Sequence, residues 1–347
     1  MNKSLGIYNI IDTEGIKKSI NNVLSKNINF NTYSSPKGLK ELRIEIGKFI
    51  TKAQDYPFSP ENMLITSGSQ QSINIVADAL LKDGDTVLIE QPTYFGAIDI
   101  FKNMKINLIG IDLYDDGIDL KMLEKNIVQY SPKLIYVTPT FNNPTGFCWS
   151  NEARIKFLNI INKYNIMVLE DDPYSLINYT KSKFDSLYKL NHGKNVIYLG
   201  TFSKLISPSI SVGYVLCNDS LMKQIYTVKK NYDLCTNIFI QYVVFDYLKS
   251  NDLKALIFEK TKLYKKMMKK SINEIKCVYN DNIEYISNPK GGIFYLIKFK
   301  EKVDSNSFEN GSKYYVMGDF CNVTRVNICS QRRVHGDAYC LSTCSSN

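Results

Sequence analysis

Residues 63–216 alternate between short apolar segments, typical of strands, and longer amphipathic segments, typical of helices. The apolar segments are MLIT, TVLIE, INLIGI, KLIYVTP, IMVLED, VIYLGT and SVGYVLC, and the amphipathic ones are SQQSINIVADALL, YFGAIDIFKNM, LKMLEKNIVQY and NEARIKFLNIINKY. Strands that alternate with helices in this way are joined by right-handed crossovers and pair in parallel. The pattern predicts an α/β fold with a mostly parallel sheet and helices on both faces.

A different pattern follows this region. From residue 218 to about residue 276 the chain has helical periodicity, and two strand-like segments, IEYIS and GGIFYLIKFK, come after it. At 347 residues the chain is long enough for about two domains. We therefore predict a large domain at residues 30–245 and a smaller, discontinuous α+β domain made of residues 1–29 and 246–347.

Composition narrows the class of protein and its partners. The net charge of +9 comes from dispersed lysines, and the densest cluster, KTKLYKKMMKKSINEIK, has apolar residues at helical spacing. Such a cluster is typical of a solvated helix face, so no nucleic-acid partner is expected. No apolar run approaches the ~20 residues that cross a bilayer, and the first residues contain no apolar signal segment, so no membrane contact is expected.

The eight cysteines only weakly indicate a metal site or a disulfide, and either role stays open for the last four. Their spacings match none of the paired patterns of structural zinc sites, although His335 lies among the last four. Free thiols in a reducing compartment are the simpler interpretation, and a cytoplasmic location is predicted. The cysteines are Cys148, Cys217, Cys235, Cys277, Cys321, Cys329, Cys340 and Cys344.

Polar residues follow the predicted strands at the places where those strands end. The segments are residues 67–70, 91–94, 142–146, 171–174 and 201–204. Ligands of parallel sheets bind outside the carboxyl ends of the strands, so these segments are expected to form one rim. The last of them, within GTFSK, places Lys204 on a turn, where its amine can condense with a carbonyl.

The side chains of this rim match the chemistry of one cofactor. Asp171 can hold a cationic ring nitrogen, while Asn143 and Tyr174 can hydrogen-bond a phenolate oxygen. Tyr94 can stack on an aromatic ring, and the SGSQ segment opening a helix can bind a phosphate. An aldehyde that reacts with Lys204 completes the description of pyridoxal 5′-phosphate. Each motif alone is an ordinary turn or loop; their order at successive strand ends carries the prediction.

Seven motifs follow one another in order over about residues 30–300. They are YSSPKGLKELR, ITSGSQQSI, EQPTYFGAI, TPTFNNPTG, VLEDDPY, GTFSK and PKGGIFY. In these motifs the chain resembles the fold-type I, class I/II pyridoxal-phosphate aminotransferases, in particular the 2-aminoadipate and aromatic branch. The same domain also occurs fused to some transcription regulators.

The resemblance implies a role for each rim residue. Lys204 would form the aldimine with the cofactor and move the proton of the substrate α-carbon, and Asp171 would pair with the ring nitrogen. Tyr94 would stack on the ring, and Asn143 and Tyr174 would bind its phenolate oxygen. The residues implied for the phosphate are Ser69, Gln70, Thr201 and Ser203.

The resemblance also implies substrate contacts and a homodimer with shared active sites. Arg325, in VTRVNIC, corresponds to the arginine that binds the substrate carboxylate in this family. Tyr33 corresponds to the tyrosine lent to the neighbouring subunit's site. Gly38 and Asn143 are predicted to lie on the substrate side.

Three departures from the family pattern affect these expectations. PSISVGY places Ser211 where the family has the arginine that binds the cofactor phosphate. The small domain is also expected to be abridged at both chain ends. Only MNKSLGIYNIIDTEG precedes the first predicted helix, and about two dozen residues separate GGIFYLIKFK from VTRVNIC.

The expected reaction is transfer of an amino group between an α-amino acid and a 2-oxo acid. Two alternatives stay open on the sequence. One is another reaction of the same cofactor, such as that of a decarboxylase, lyase, cyclase or oxidase. The other is a non-catalytic regulator that binds the cofactor or an amino acid.

Overall fold

The computed structural model describes residues 11–31, 33–300 and 314–317. Within these ranges the α-helices are α1 Thr13–Ser25, α2 Lys40–Gln54, α3 Gly68–Leu80, α4 Phe95–Asn103, α5 Leu120–Tyr130, α6 Asn151–Tyr164, α7 Leu187–Leu190, α8 Asp219–Asp233, α9 Ile238–Ser250 and α10 Leu253–Tyr279. The strands are β1 Met63–Thr66, β2 Thr86–Gln91, β3 Asn107–Tyr114, β4 Gly117–Ile118, β5 Leu134–Val137, β6 Met167–Asp172, β7 Val196–Thr201, β8 Gly213–Leu216, β9 Ile283–Ile286, β10 Tyr295–Phe299 and β11 Tyr314–Met317.

Eight of these strands form one sheet in the order β1-β8-β7-β6-β5-β2-β3-β4. The pairs among β7, β6, β5, β2 and β3 are parallel. Strand β8 is antiparallel to both of its neighbours, β1 and β7, and β4 is antiparallel to β3. The predicted mostly parallel sheet is confirmed, and β8 is the reversal that periodicity alone does not reveal.

The predicted elements recur with small shifts at their ends. Helices α5 and α6 have the predicted bounds, and both end with a residue in the left-handed conformation, Ser131 and Asn165. Helix α6 begins after Ser150, whose hydroxyl accepts a hydrogen bond from the N–H of Ala153 at 3.1 Å. Such side-chain caps satisfy N–H groups that a helix start leaves unpaired. The two-residue strand β4 and the four-residue helix α7 are too short for a periodic pattern.

Two apolar cores cover the two faces of the large sheet. On one face, helices α3, α4 and α8 pack over residues such as Leu134 and Leu169. On the other face, helices α2, α5, α6 and α9 pack over residues such as Ile135 and Val168. Side chains alternate between the faces of a strand, so consecutive residues of β5 and β6 enter different cores. A sheet buried on both sides leaves its strand ends as the place for polar groups.

The second sheet, β11-β10-β9, is antiparallel. The turn before β10 joins it to the segment that follows β6. Tyr179 donates a hydrogen bond to the carbonyl of Gly292 at 2.5 Å, and the Gly292 N–H donates to the Ile177 carbonyl at 2.8 Å. At the other end, Lys26, directly after α1, pairs with Asp246 of α9 at 2.7 Å. The division into two domains at residues 30–245 stays a prediction.

No helix within the described ranges combines the length and the apolar character that crossing a membrane requires.

Candidate active site at the strand ends

Because β8 is antiparallel to both β1 and β7, β1 runs parallel to β7 and its carboxyl end joins the same edge of the sheet. The carboxyl ends of β1 and β7 meet the start of β8, where Gly213 pairs with both Thr66 and Thr201. Across the sheet, the rim therefore runs from the start of α3 through Ser211, the Lys204 turn and Asp171 to the segments after β5 and β2. All the rim segments predicted from the sequence lie along this one edge.

Asp171, near the end of β6, is a buried carboxylate with one oxygen paired. Its side chain is 3% exposed, and its Oδ2 accepts a hydrogen bond from the hydroxyl of Tyr136 at 2.8 Å. Its Oδ1 is also buried and has no hydrogen-bond partner within the described part of the chain. Burial raises the pKa of Asp171 to about 7, against the effect of the Tyr136 hydrogen bond. An unpaired buried carboxylate oxygen costs free energy unless a donor meets it.

The neighbouring Asp172 differs from Asp171 because both of its oxygens are paired. Its Oδ2 accepts a hydrogen bond from the Tyr198 hydroxyl at 2.7 Å, and its Oδ1 accepts one from the Ser175 N–H at 3.0 Å. The two carboxylates lie on opposite faces of β6, because successive side chains of a strand point to opposite sides. The geometry thus distinguishes Asp171 as the one that can accept a further donor.

The start of α3 is an open anion-binding position. The side chain of Ser67, the residue before the helix, makes no capping hydrogen bond. The N–H groups of the first turn, which includes Ser69 and Gln70, therefore remain available to an anion. Gly68 has a φ of +83°, and a Cβ there would lie 3.2 Å from the Ser211 Oγ, so Gly68 allows the two segments to approach.

Ser211 lies where the phosphate-binding arginine was expected, directly beside this helix start. Its Oγ donates a hydrogen bond to the Ser67 carbonyl at 3.4 Å, and its backbone is in the left-handed region with a φ of 43°. The side chain is exposed and carries no charge. The site therefore has a hydroxyl where a guanidinium would neutralise an anion.

The Lys204 turn is closed by its own backbone. The N–H groups of Leu205 and Ile206 donate to the Phe202 carbonyl at 3.1 and 2.8 Å. Ahead of them, the Thr201 Oγ1 accepts a hydrogen bond from the Ser203 N–H at 3.2 Å. Lys204 is partly exposed, and its Nζ has no hydrogen-bond or ion-pair partner among the residues that the structure describes.

A buried lysine of α10 hydrogen-bonds to the backbone of this turn. Lys260 is 4% exposed, and its Nζ donates to the carbonyls of Leu205 at 2.6 Å and Ile206 at 3.0 Å. Burial lowers the pKa of Lys260 to about 8. The turn that carries Lys204 is therefore held from both sides, by its own hydrogen bonds and by α10.

The loop that carries Asn143 is anchored by a buried carboxylate on β2. Glu90 accepts hydrogen bonds from the Thr138 N–H at 2.7 Å, the Asn142 Nδ2 at 2.9 Å and the Trp149 Nε1 at 3.0 Å. Burial raises the pKa of Glu90 to about 7. Because its neighbour Asn142 is fixed in this way, the partly exposed Asn143 is held at the rim.

Two aromatic residues predicted for the site lie at its edges. The Tyr94 hydroxyl donates to the Gln70 Oε1 at 2.9 Å, which joins the segments after β2 and β1. Burial, with the nearby charge of Asp171, raises the pKa of Tyr94. The buried Tyr174 ring packs edge-on against Phe294, with ring centroids 5.7 Å apart. Phe294 comes from the segment before β10, so the second sheet reaches the rim.

The predicted substrate-side residues are less closely grouped. Tyr33 is 82% exposed, in the segment between α1 and α2. Gly38 has a φ of +88° and is buried, and a Cβ there would lie 2.5 Å from the Ile65 side chain. Arg325 lies outside the described residues, as do Cys321, Cys329, His335, Cys340 and Cys344.

Sequence reasoning missed Tyr136, Lys260 and Glu90. A tyrosine in the buried strand KLIYVTP was the available signal for Tyr136, because its hydroxyl needs a polar partner in a core. Glu90, within TVLIE, offered a similar signal. Lys260 lay in a lysine-rich helix that the sequence indicated to be solvated, and nothing distinguished it there.

These residues fit pyridoxal 5′-phosphate. Among the described residues, neither Asp171 Oδ1 nor the Lys204 amine has a partner. Asp171 Oδ1 can therefore accept the N–H of a cationic ring, Lys204 can supply its amine, and the start of α3 can bind a phosphate. The three features occupy one edge of the sheet in the order β1, β7, β6. Within the described ranges, no group of three His, Cys, Asp or Glu residues could hold a metal ion.

Comparisons with known proteins identify the family of the chain. The model of the family described as aminotransferase class I and II matches residues 5–329. Aromatic-amino-acid aminotransferase 1 of Thermococcus litoralis is 26% identical over 311 residues, which cover 85% of this chain and 74% of that protein.

Solved structures of similar proteins have the same fold. Pyrococcus horikoshii kynurenine aminotransferase, in complex with PMP, is 28% identical, with a TM-score of 0.79 and coverage of 85% of this chain and 74% of that one. The α-aminoadipate aminotransferase of Thermus thermophilus, complexed with N-(5′-phosphopyridoxyl)-L-leucine, is 25% identical, with a TM-score of 0.82 and coverage of 91% and 85%.

The expected family, fold type, cofactor and reaction class are confirmed. This protein is a pyridoxal-phosphate-dependent aminotransferase with a fold-type I large sheet. With most of its length matched, the chain belongs to the aminotransferase class I and II family.

Proposed function

We propose that the rim at the strand ends is the active site of this aminotransferase. There an amino group passes between an α-amino acid and a 2-oxo acid. The observation that carries the proposal is the unpaired, buried Asp171 Oδ1, at the same edge as the Lys204 turn. When bound, pyridoxal 5′-phosphate supplies an aldehyde that accepts the amino group and a ring that withdraws electrons.

Lys204 is the proposed catalytic residue. Its amine would hold the cofactor covalently and, when free, could move the proton of the substrate α-carbon. A lysine loses its charge readily near cations or apolar walls, which suits an amine that must act as a base. The closed turn and the support from Lys260 restrict where this amine can reach.

Two ends of the rim hold the cofactor in this proposal. Ser69 and Gln70, at the start of α3, bind the phosphate together with Thr201 and Ser203. The first turn of a helix attracts anions through its free N–H groups and its dipole. This end uses hydroxyls and N–H groups, because Ser211 supplies no charge.

At the ring end, Asp171 would hold the nitrogen in its protonated form. Asn143 and Tyr174 would donate to the phenolate oxygen, and Tyr94 would stack on the ring. A carboxylate stabilises a cation that an amide only hydrogen-bonds, so the charge of Asp171 is the important property.

We further propose a homodimer that shares its active sites. The exposure of Tyr33 supports this, because a large aromatic side chain that is 82% exposed is available to a neighbouring subunit. Arg325 is proposed to bind the substrate carboxylate, with Gly38 and Asn143 on the substrate side. A cytoplasmic location is supported by the four described cysteines, which are all free thiols.

Covalent attachment can be tested on the purified protein. We expect borohydride reduction followed by peptide mapping to place the pyridoxyl group on Lys204. Lys204→Ala should abolish turnover and leave the melting temperature of the apoprotein close to that of the wild type, because a partly exposed turn side chain packs little. Lys194→Ala, at another exposed lysine, is the control and should retain both label and turnover. A pyridoxyl label on a different lysine contradicts the assignment.

The two neighbouring aspartates should differ in effect. We expect Asp171→Asn to lower kcat/KM by about 10- to 100-fold, the value of one charged hydrogen bond, whereas Asp172→Asn changes kcat/KM little. The assay uses the best amino donor found by screening the standard amino acids against 2-oxoglutarate. Melting temperatures of both variants separate lost catalysis from lost stability. Equal losses of kcat/KM would mean that the wrong aspartate was chosen.

The missing arginine gives a prediction on cofactor affinity. Ser211→Arg should lower the Kd for pyridoxal phosphate about tenfold for each ~1.4 kcal/mol of phosphate binding that the guanidinium restores. Because residue 211 is exposed, solvent screening should keep this gain below the ~2–5 kcal/mol typical of a buried charged pair. The measurement is a titration of the apoprotein at fixed salt.

Ser209→Arg is the matched control for this change, since Ser209 is exposed on the same short turn but does not contact the start of α3. An equal gain in cofactor affinity in both variants would show that the added positive charge, and not its position, causes the effect. No gain in Ser211→Arg would show that another group already neutralises the phosphate.

Shared sites can be detected by mixing two impaired variants. Lys204→Ala and Tyr33→Phe subunits, unfolded together and refolded, form mixed dimers in which one site carries neither change. We expect turnover above the sum of the two separate variants. Activity equal to that sum, with dimers confirmed by light scattering, would show that Tyr33 does not act across the interface.

A further inference from the structure

We propose that Tyr136 is a positioning residue of the active site: its hydroxyl holds Asp171 Oδ2, so that the buried Oδ1, which has no partner among the described residues, can accept the ring N–H of the cofactor and the proton stays on the ring nitrogen. The inference rests on the proposed role of Asp171. Tyr136 acts through Asp171.

The register of two neighbouring strands creates the contact. Tyr136 of β5 lies opposite Leu169 of β6, and Asp171 is two residues further along β6 on the same face. A tyrosine is long enough to reach this diagonal neighbour, and the oxygen atoms are 2.8 Å apart. Only this sheet register places the hydroxyl against the carboxylate.

Packing fixes the tyrosine in this position. Tyr136 is fully buried, and its ring meets that of Phe101 of α4 edge-on, with centroids 6.0 Å apart. A side chain enclosed on all sides keeps its rotamer, so the hydroxyl has little freedom to turn away from Asp171. Packing of the Tyr136 ring in the core therefore fixes the direction of its hydrogen bond to Asp171.

The hydrogen bond decides which atom holds the proton. A carboxylate that accepts a donor at one oxygen is a weaker base at the other, because the donor stabilises the negative charge. Without Tyr136, the pKa of the buried Asp171 carboxyl would rise further from its already raised value. The shared proton would then move from the ring nitrogen towards Oδ1.

The opposite face of β6 provides a matched pair for comparison. Tyr198 of β7 lies opposite Glu170 and reaches Asp172 by the same diagonal, at 2.7 Å. Both tyrosines are buried, and Tyr198 also accepts a hydrogen bond from Gln54 at 3.1 Å. The pairs differ in one respect: Asp172 has both oxygens paired, whereas Asp171 has one left.

The test compares Tyr136→Phe with Tyr198→Phe. Each variant is reconstituted with pyridoxal phosphate that carries ¹⁵N in the ring, and the ¹⁵N chemical shift reports how much of the ring nitrogen is protonated. We expect the shift to move towards the unprotonated value in Tyr136→Phe and to stay at the wild-type value in Tyr198→Phe. The Kd for the cofactor should rise by several-fold to about tenfold in Tyr136→Phe alone. Both variants should melt below the wild type.

Two outcomes would overturn the proposal. Wild-type ring protonation and affinity in Tyr136→Phe would leave Tyr136 a structural residue. Equal changes of the ¹⁵N shift in both variants would reflect a general loosening of β6 instead of a specific role for Tyr136.

Asp171→Asn, measured in the same way, separates this proposal from the proposed active site. If Asp171→Asn leaves the ring nitrogen protonated, the assignment of Asp171 fails, and the role of Tyr136 fails with it. If Asp171→Asn deprotonates the ring and Tyr136→Phe does not, only the role of Tyr136 is refuted.

Discussion

Strand β6 places three consecutive carboxylates, Glu170, Asp171 and Asp172, inside the protein, and each must be compensated. Glu170 accepts the N–H groups of Leu187 and Tyr188, at the start of α7, at 2.9 Å each. Asp172 is satisfied by a hydroxyl and an N–H. Of the three, Asp171 retains a buried oxygen without a hydrogen-bond partner within the described part of the chain. A buried acceptor without a donor costs free energy, so a ligand that donates an N–H to Asp171 would stabilise this strand.

The local features of the site were predictable because each depends on a short motif of adjacent residues. GTFSK marks a lysine turn, VLEDDPY marks a strand that ends in carboxylates, and SGSQ marks the start of a helix. Strand ends of a parallel sheet meet at one edge, so the order of these motifs sufficed to predict that they form one site.

The supporting residues were not predictable, since they depend on contacts between distant segments. Tyr136 is 35 residues from Asp171, and Lys260 is 54 residues from Ile206. Which strand neighbours which, and in what register, decides the first contact. The reversal of β8 decides where Ser211 lies. Apolar periodicity reports the faces of an element but not its direction or its neighbours.

The reversed strand also affects how the protein folds. Ser67 and Ser211, which meet beside the start of α3, are 144 residues apart in sequence. Joining them closes a long loop. Contacts of this kind form slowly, because the chain loses conformational entropy before the contact can stabilise it. The anion position therefore exists only once β1, β8 and β7 are paired, so a ligand bound there recognises the finished sheet and not the unfolded chain. By mass action, the stability of the fold becomes a function of the free cofactor concentration.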